Sequence, residues 1–317
     1  MHIKLKLVGL FFLVSLAAFA QPKPTFKVIP LGVMGGSDES NLSSYMLAPT
    51  GSDAYICLDA GTIHAGIAKA ITNKVFNVDD ATVLKRYIKG YCISHAHLDH
   101  VAGMIINSPD DTAKNVYGLP YTLNVLRDNY FTWKNWANFG SEGDKPTLNK
   151  YHYTPLIPGK ETALDNTVMT VKAFTLSHGN PYESTAFLIG SNNNYMLYLG
   201  DTGADEIERS DKLHQLWEAI APLIKTKQLK SIMIEVSFPN EQPDKSLFGH
   251  LTPRLLMNEM KALSNLTGAA AMKGFPVVIT HIKPAGNHIM QIKSQLAGLN
   301  TLGIKLIYPR QGVPIQF

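Results

Sequence analysis

The sequence contains little cysteine: two residues in 317, Cys57 and Cys92. That is too few to frame a chain of this length with disulfides. Both stand in apolar runs, Tyr55-Ile56-Cys57-Leu58 and Tyr91-Cys92-Ile93. An exported chain can oxidise such a pair, but the apolar setting favours two free thiols buried as small hydrophobes. Charge of one sign is also scarce. The net charge is +4, and charged residues make up 17% of the chain against 45% hydrophobic. This balance excludes a disordered chain. It offers nothing to a long nucleic acid and leaves small substrates open. Linkers and short internal repeats are absent too. One domain over residues 21–317 is the expectation, with ample length for a large core.

Long apolar runs are missing everywhere but at the start. Lys4 and Lys6 precede an apolar stretch from Leu7 to Phe19, and Ala18-Phe19-Ala20 has the small-x-small form of a cleavage site. The stretch, about 13 residues, falls short of the ~20 that a spanning helix needs. Residues 1–20 therefore read as a secretory signal peptide, with Gln21 the first mature residue. No cysteine follows the cleavage site, which speaks against a lipoprotein. Removal takes out two lysines and no acid, so +4 becomes +2. The expectation is an exported, periplasmic protein with no membrane contact once the signal is gone.

What the sequence does have is histidine in one place. Ser94-His95-Ala96-His97-Leu98-Asp99-His100 holds three imidazoles and a carboxylate within six residues. It follows Tyr91-Cys92-Ile93, which reads as a buried strand end. In open α/β sheets ligands bind at the carboxyl ends of strands. His95 and His97 are two apart and share a side of an extended segment, so they can converge on one ion. Asp99 and His100 lie where the chain should turn and can face a second. Imidazole nitrogen and carboxylate oxygen suit zinc, manganese and iron. One ion needs about four ligands, and two ions need more than this stretch provides. Further histidines and aspartates at other strand ends are required.

They are present. Val168 to Leu176 reads as a strand ending in Ser177-His178-Gly179. Ser184 to Ile189 and Tyr195 to Leu199 read as a hairpin ending in Gly200-Asp201-Thr202-Gly203. Phe275 to Thr280 reads as a strand ending in His281. Ser231 to Val236 is a further strand with Glu235 near its end. His2, His64, His152, His214 and His288 fall outside this grammar.

His-x-His-x-Asp-His resembles the signature of the metallo-β-lactamase superfamily. The longer run from His95 to Pro109, His-Ala-His-Leu-Asp-His-Val-Ala-Gly-Met-Ile-Ile-Asn-Ser-Pro, resembles that of the class II cyclic-nucleotide phosphodiesterases. Asn41-Leu42-Ser43-Ser44 is similar to the same family, and equally reads as turn chemistry. The resemblance implies an α/β fold: an αββα sandwich of two mixed sheets packed face to face, helices outside. It implies that His95, His97 and His178 hold one metal, that Asp99, His100 and His281 hold another, and that Asp201 bridges them. It implies hydrolysis of a 3′,5′-cyclic nucleotide, cyclic AMP first, to the 5′-monophosphate. Two divalent ions would lower the pKa of a water and stabilise charge on the phosphoryl oxygens. Zinc is the first choice, since nitrogen and oxygen donors with an open position suit it; manganese and iron accept the same donors.

His250, in Phe248-Gly249-His250-Leu251-Thr252-Pro253, is not needed for metal, and its motif also resembles the family. Such a histidine can protonate a leaving group, with Glu235 orienting it; Asp99 acting through water is the other donor. Asp59, after the strand Ala54 to Leu58, reads either as a carboxylate behind a metal-bound histidine or as a helix cap. Four rivals stay in view. A lactamase is disfavoured because no cysteine follows the motif. An RNA-processing nuclease is disfavoured by export and weak charge. A thioesterase like glyoxalase II fits the ligands, with only the longer motif and His250 against it. A non-catalytic nucleotide- or metal-binding protein predicts gaps in the ligand set, and none is found.

Further expectations concern form. Phe26 to Leu31 and Leu42 to Leu47 form a hairpin. Ile63 to Ile71, Ala81 to Lys89 and the whole of Pro120 to Phe139 are helical, and Gly140 to Lys160 is a loop. The aromatic-rich segment is a cap over the site, a packing helix or a homodimer interface. Thr252 caps a helix that begins at Pro253 and stops before Gly268.

Overall fold

The structure, a computed structural model, describes residues 24–317. The signal peptide expected over residues 1–20 lies outside the described residues.

The strands that read as continuous apolar runs do so because both of their faces are covered. The first seven-stranded sheet takes β1 (Phe26–Gly32), β2 (Ser44–Pro49), β3 (Tyr55–Leu58), β4 (Ile88–Cys92), β5 (Lys114–Gly118) and β6 (Tyr151–Pro155). The second takes β7 (Glu161–Ala163), β8 (Thr170–Ser177), β9 (Glu183–Ser191), β10 (Asn194–Tyr198), β11 (Leu229–Glu235), β12 (Pro276–Thr280) and β13 (Lys305–Ile307). The last strand, β14 (Ile315–Gln316), returns to the first sheet beside β1. Both sheets are mixed: β3 to β6 run parallel, as do β10 to β13, and the remaining pairs are antiparallel.

Alternation along the strands divides the core into three layers. Val28, Leu47, Leu58 and Cys92 of the first sheet meet Val171, Phe187, Tyr198 and Met233 of the second. Ile29, Met46, Cys57 and Tyr91 point the other way, onto Ile63, Ile67, Val101 and Met104. Ile232 and Ile234 of the second sheet face Trp217, Ile220 and Leu255 of helices Lys212–Lys225 and Pro253–Thr267. This is the expected αββα sandwich. Both cysteines are free and buried. Among the described residues no helix is long and apolar enough to cross a membrane.

Several local expectations hold. β1 and β2 pair as a hairpin, and so do β9 and β10. Thr252 accepts the Leu255 N–H, Pro253 opens the helix, and Gly268, at φ +90°, closes it.

The aromatic-rich segment differs. Helix runs only from Pro120 to Val125, with a wider π turn over Leu126–Tyr130. Aromatic and β-branched Phe131-Thr132-Trp133 lose rotamer freedom in a helix, and Trp133 turns into the left-handed region at φ +61°. Phe131 is buried against Phe139 and Tyr151. Trp136 Nε1 donates to Ser108 Oγ at 3.0 Å. The aromatics here chiefly pack. Residues 140–160 are not all loop, since β6 adds an edge strand. The expected helix over 81–89 gives way to a π turn at Val83 and to β4 at Ile88.

Candidate functional site

Six strands deliver chemistry at their carboxyl ends. Asp59 follows β3, His95 and His97 follow β4, His178 follows β8, Asp201 follows β10, Glu235 ends β11 and His281 follows β12. The helix Leu98–Asn107 starts straight after His97 and turns Asp99 and His100 back into the site. Its first two turns pack against residues 60–63 with no room for a side chain between. A methyl at Gly61 would fall 2.0 Å from Asp99 O, and one at Gly103 would fall 2.8 Å from Ala60 O.

All seven expected ligands meet. His95 Nε2 lies 3.1 Å from His97 Nδ1, which lies 3.3 Å from His178 Nε2. His281 Nε2 lies 3.1 Å from Asp99 Oδ2 and 3.3 Å from Asp201 Oδ2. His100 Nε2 lies 3.2 Å from the same Asp201 oxygen, and His95 and His178 come within 3.8 and 3.9 Å of it. Two donor groups, His95-His97-His178 and Asp99-His100-His281, thus flank one carboxylate.

The tautomers follow from what stands behind each ring. Asp59 accepts from His100 Nδ1 at 2.7 Å. Gly249 O accepts from His178 Nδ1 at 2.8 Å. Ser94 Oγ donates to Asp59 at 2.7 Å, so at 3.0 Å it accepts from His95 Nδ1. Ser237 Oγ donates to Glu235 Oε2 at 2.5 Å, so at 2.9 Å it accepts from His281 Nδ1. Each outer nitrogen carries the proton, and each Nε2 lone pair faces inward.

These lone pairs fit a divalent ion. A single proton on His97 cannot serve both His95 and His178. His100 Nε2 and Asp201 Oδ1 are buried without a hydrogen-bond partner, a costly state unless a cation takes them. Burial, then the neighbouring imidazoles, push His95 well down and His97 to about 4, which keeps both in the neutral, ligating form. Burial also presses His100 down, yet Asp201 and Asp59 outweigh it and hold the ring well above its usual range. The pocket calls for positive charge.

Beside this centre, Glu235 Oε1 accepts from His250 Nδ1 at 2.7 Å and from Thr202 N–H at 3.1 Å. Burial presses His250 down, and the adjacent Glu235 carboxylate raises it past its usual value. The expected His250–Glu235 pair is therefore formed, with both residues buried. Three non-glycine residues of the site, Asp59, Phe248 and His281, sit at φ +52° to +53°. Left-handed backbone of this kind persists where surrounding structure over-determines it. Asp59 is the buried carboxylate behind His100, the first of the two roles expected of it.

Sequence reasoning missed Ser237 and Tyr198. Tyr198 donates to Asp59 at 2.6 Å, across 139 residues. A serine two residues past a strand-end glutamate carries no spacing signal of its own.

A family model, cAMP phosphodiesterases class-II, matches residues 25–312. The chain belongs to that family. A relative from Aliivibrio fischeri, named 3′,5′-cyclic-nucleotide phosphodiesterase, is 40% identical over 99% of each chain. Unliganded yeast PDE1 superposes with a TM-score of 0.82 at 21% identity, covering 93% of this chain and 100% of the other. The metallo-β-lactamase fold protein YhfI from Bacillus subtilis gives 0.62 at 15% identity, covering 92% and 99%. The two solved structures share the class-II chain's fold.

Proposed function

We propose that this protein hydrolyses 3′,5′-cyclic nucleotides, cyclic AMP first, to 5′-monophosphates with two divalent ions, zinc the first choice. The observation that carries the reading is the pair of donor groups flanking Asp201, with the His250–Glu235 pair beside them. His95, His97 and His178 would hold one ion and Asp99, His100 and His281 the other, with Asp201 shared. When bound, such ions lower the pKa of water and stabilise charge on phosphoryl oxygens.

The remaining work falls to this chain's own side chains. Water oxygen bonds to phosphorus as the bond from phosphorus to the 3′ oxygen breaks, and that oxygen needs a proton. His250 can supply it: Glu235 holds Nδ1–H, which leaves Nε2 to carry the proton outward. Asp99 keeps its charge in the meantime. Burial raises its carboxyl, but the His281 hydrogen bond and the His100 charge hold it well below the usual range. Export rests on the lysine-flanked apolar start and the Ala18-Phe19-Ala20 site.

The test is a substrate panel on metal-analysed protein: cyclic AMP, cyclic GMP and a thioester. Release of 5′-AMP with about two ions per chain supports the reading. Turnover of the thioester alone refutes it, as does metal-loaded protein that releases no 5′-monophosphate. Stripping the ions with a chelator should abolish turnover and lower the melting temperature, since bound ions stabilise the folded state.

A further inference from the structure

The rim of the site on the His281 side carries a cation with no acidic partner. Lys283 follows His281 by two residues, and its backbone N–H donates to Ser237 O at 3.2 Å. Its stem runs beside the Gly35-Gly36 turn, where a methyl placed at Gly36 would sit 3.9 Å from Lys283 Cγ. That turn belongs to the site: Gly36 N–H donates to Asp99 Oδ2 at 2.9 Å, and Gly35 packs on the His281 ring. The ammonium stands over Phe238, 5.1 Å from the ring centroid. Phe238 meets His250 edge-on, with centroids 5.7 Å apart. One ring thus neighbours both the ammonium and the imidazole. By contrast, two cations at helix starts are paired, Lys212 with Glu183 and Arg254 with Glu206 and Asp244. Among the described residues no carboxylate lies within ion-pair distance of Lys283.

We infer that Lys283 is a substrate-recognition residue whose ammonium takes a non-bridging phosphoryl oxygen of the cyclic phosphate, with Phe238 fixing its direction. The inference rests on the phosphodiesterase reading above. Its chemistry is charge complementarity. A cyclic phosphodiester bears one negative charge, and further charge gathers on its phosphoryl oxygens as water oxygen adds. A cation held in place before that happens stabilises it without reorganising. The 5′-monophosphate product presents more charge still and is held by the same group. A nucleoside presents none.

Lys283→Met keeps a stem against Phe238 and removes the charge; Lys283→Arg keeps the charge. Both are compared with wild type as full metal-loaded chains. The readouts are kcat/KM on cyclic AMP, inhibition by 5′-AMP and by adenosine, and metal content. Lys283→Met should lower kcat/KM and weaken 5′-AMP inhibition by about tenfold to a hundredfold each, as for loss of a charged hydrogen bond. Adenosine inhibition and metal content should not move, and Lys283→Arg should recover most of the loss. Lys283→Met within about twofold of wild type on both readouts overturns the inference, because a charged contact is worth more than that. So does an equal loss toward adenosine. A wild-type enzyme that cleaves no cyclic nucleotide would instead overturn the reading beneath, and calorimetry with 5′-AMP would still decide the role of Lys283.

Discussion

Asp59 is the carboxylate on which one end of the site hangs, and removing its charge has a calculable effect. It is fully buried and accepts four hydrogen bonds: Ser94 N–H at 2.7 Å on one oxygen, and on the other Ser94 Oγ at 2.7 Å, His100 Nδ1 at 2.7 Å and Tyr198 at 2.6 Å. Asp59→Asn keeps the shape, and asparagine tolerates the φ of +52°. One oxygen becomes an NH2, which must face donors. The least costly flip turns it toward the single Ser94 N–H, leaving that N–H and the new NH2 both buried without an acceptor, at about 1–3 kcal/mol each. Asp59→Ala orphans all four, about 4–12 kcal/mol together, which overlaps the whole stability of an ordinary domain. It should not accumulate as folded protein. In Asp59→Asn the His100 ring also loses its charged partner, and metal affinity should fall about 10–100-fold, as for loss of a carboxylate behind a ligating histidine. The assay is chelator competition for metal, with urea unfolding of the metal-free protein. Metal affinity within about twofold of wild type, with unfolding free energy unchanged to about 0.5 kcal/mol, would refute the reasoning.

Three more outcomes are open to measurement. His250→Ala should cut turnover by about 10²–10⁴-fold, the usual worth of a general acid, with metal content intact; turnover at wild-type level would remove it from the mechanism. Gly61→Ala drives a methyl to 2.0 Å from the Asp99 carbonyl and should cost about 1–3 kcal/mol or more by overpacking, with metal affinity falling as Asp99 shifts; a melting temperature equal to wild type counts against that close contact. Glu259 is raised by burial, partly offset by the Trp217 Nε1 hydrogen bond at 2.8 Å. Its folded pKa exceeds its unfolded one, so its contribution is full below about pH 4.3, the unfolded value, and is lost as pH rises through the folded value. Glu259→Gln should therefore gain on wild type in thermal melts at pH 8 relative to pH 4, and a pH-independent difference is the result that fails.

The seven donors were legible because metal chemistry imposes residue types that composition rarely clusters. His95 to His100 sits in one stretch with strand-end spacing, and each of His178, Asp201 and His281 follows an apolar run. The sandwich was legible from runs such as Tyr55–Leu58 and Ile232–Ile234, apolar throughout because both faces are buried. The helix at Thr252-Pro253 was legible from its cap. The segment at 120–139 was not, since helical spacing of aromatics cannot reveal that Phe131 and Trp136 have tertiary partners that outweigh a continued helix.

The sequence by itself determined which atoms could bind metal, at which strand ends, and in what fold. Only the tertiary structure decided how they are held. Asp99 meets His281 across 182 residues, and Ser237 ties His281 to Glu235 through one hydroxyl. Lys283 and His250 meet at one phenylalanine ring, Phe238. Such partnerships depend on which strands lie side by side and how their ends face across two sheets. They leave no periodicity in the chain, because a hydrogen bond needs proximity in space and is indifferent to separation in sequence.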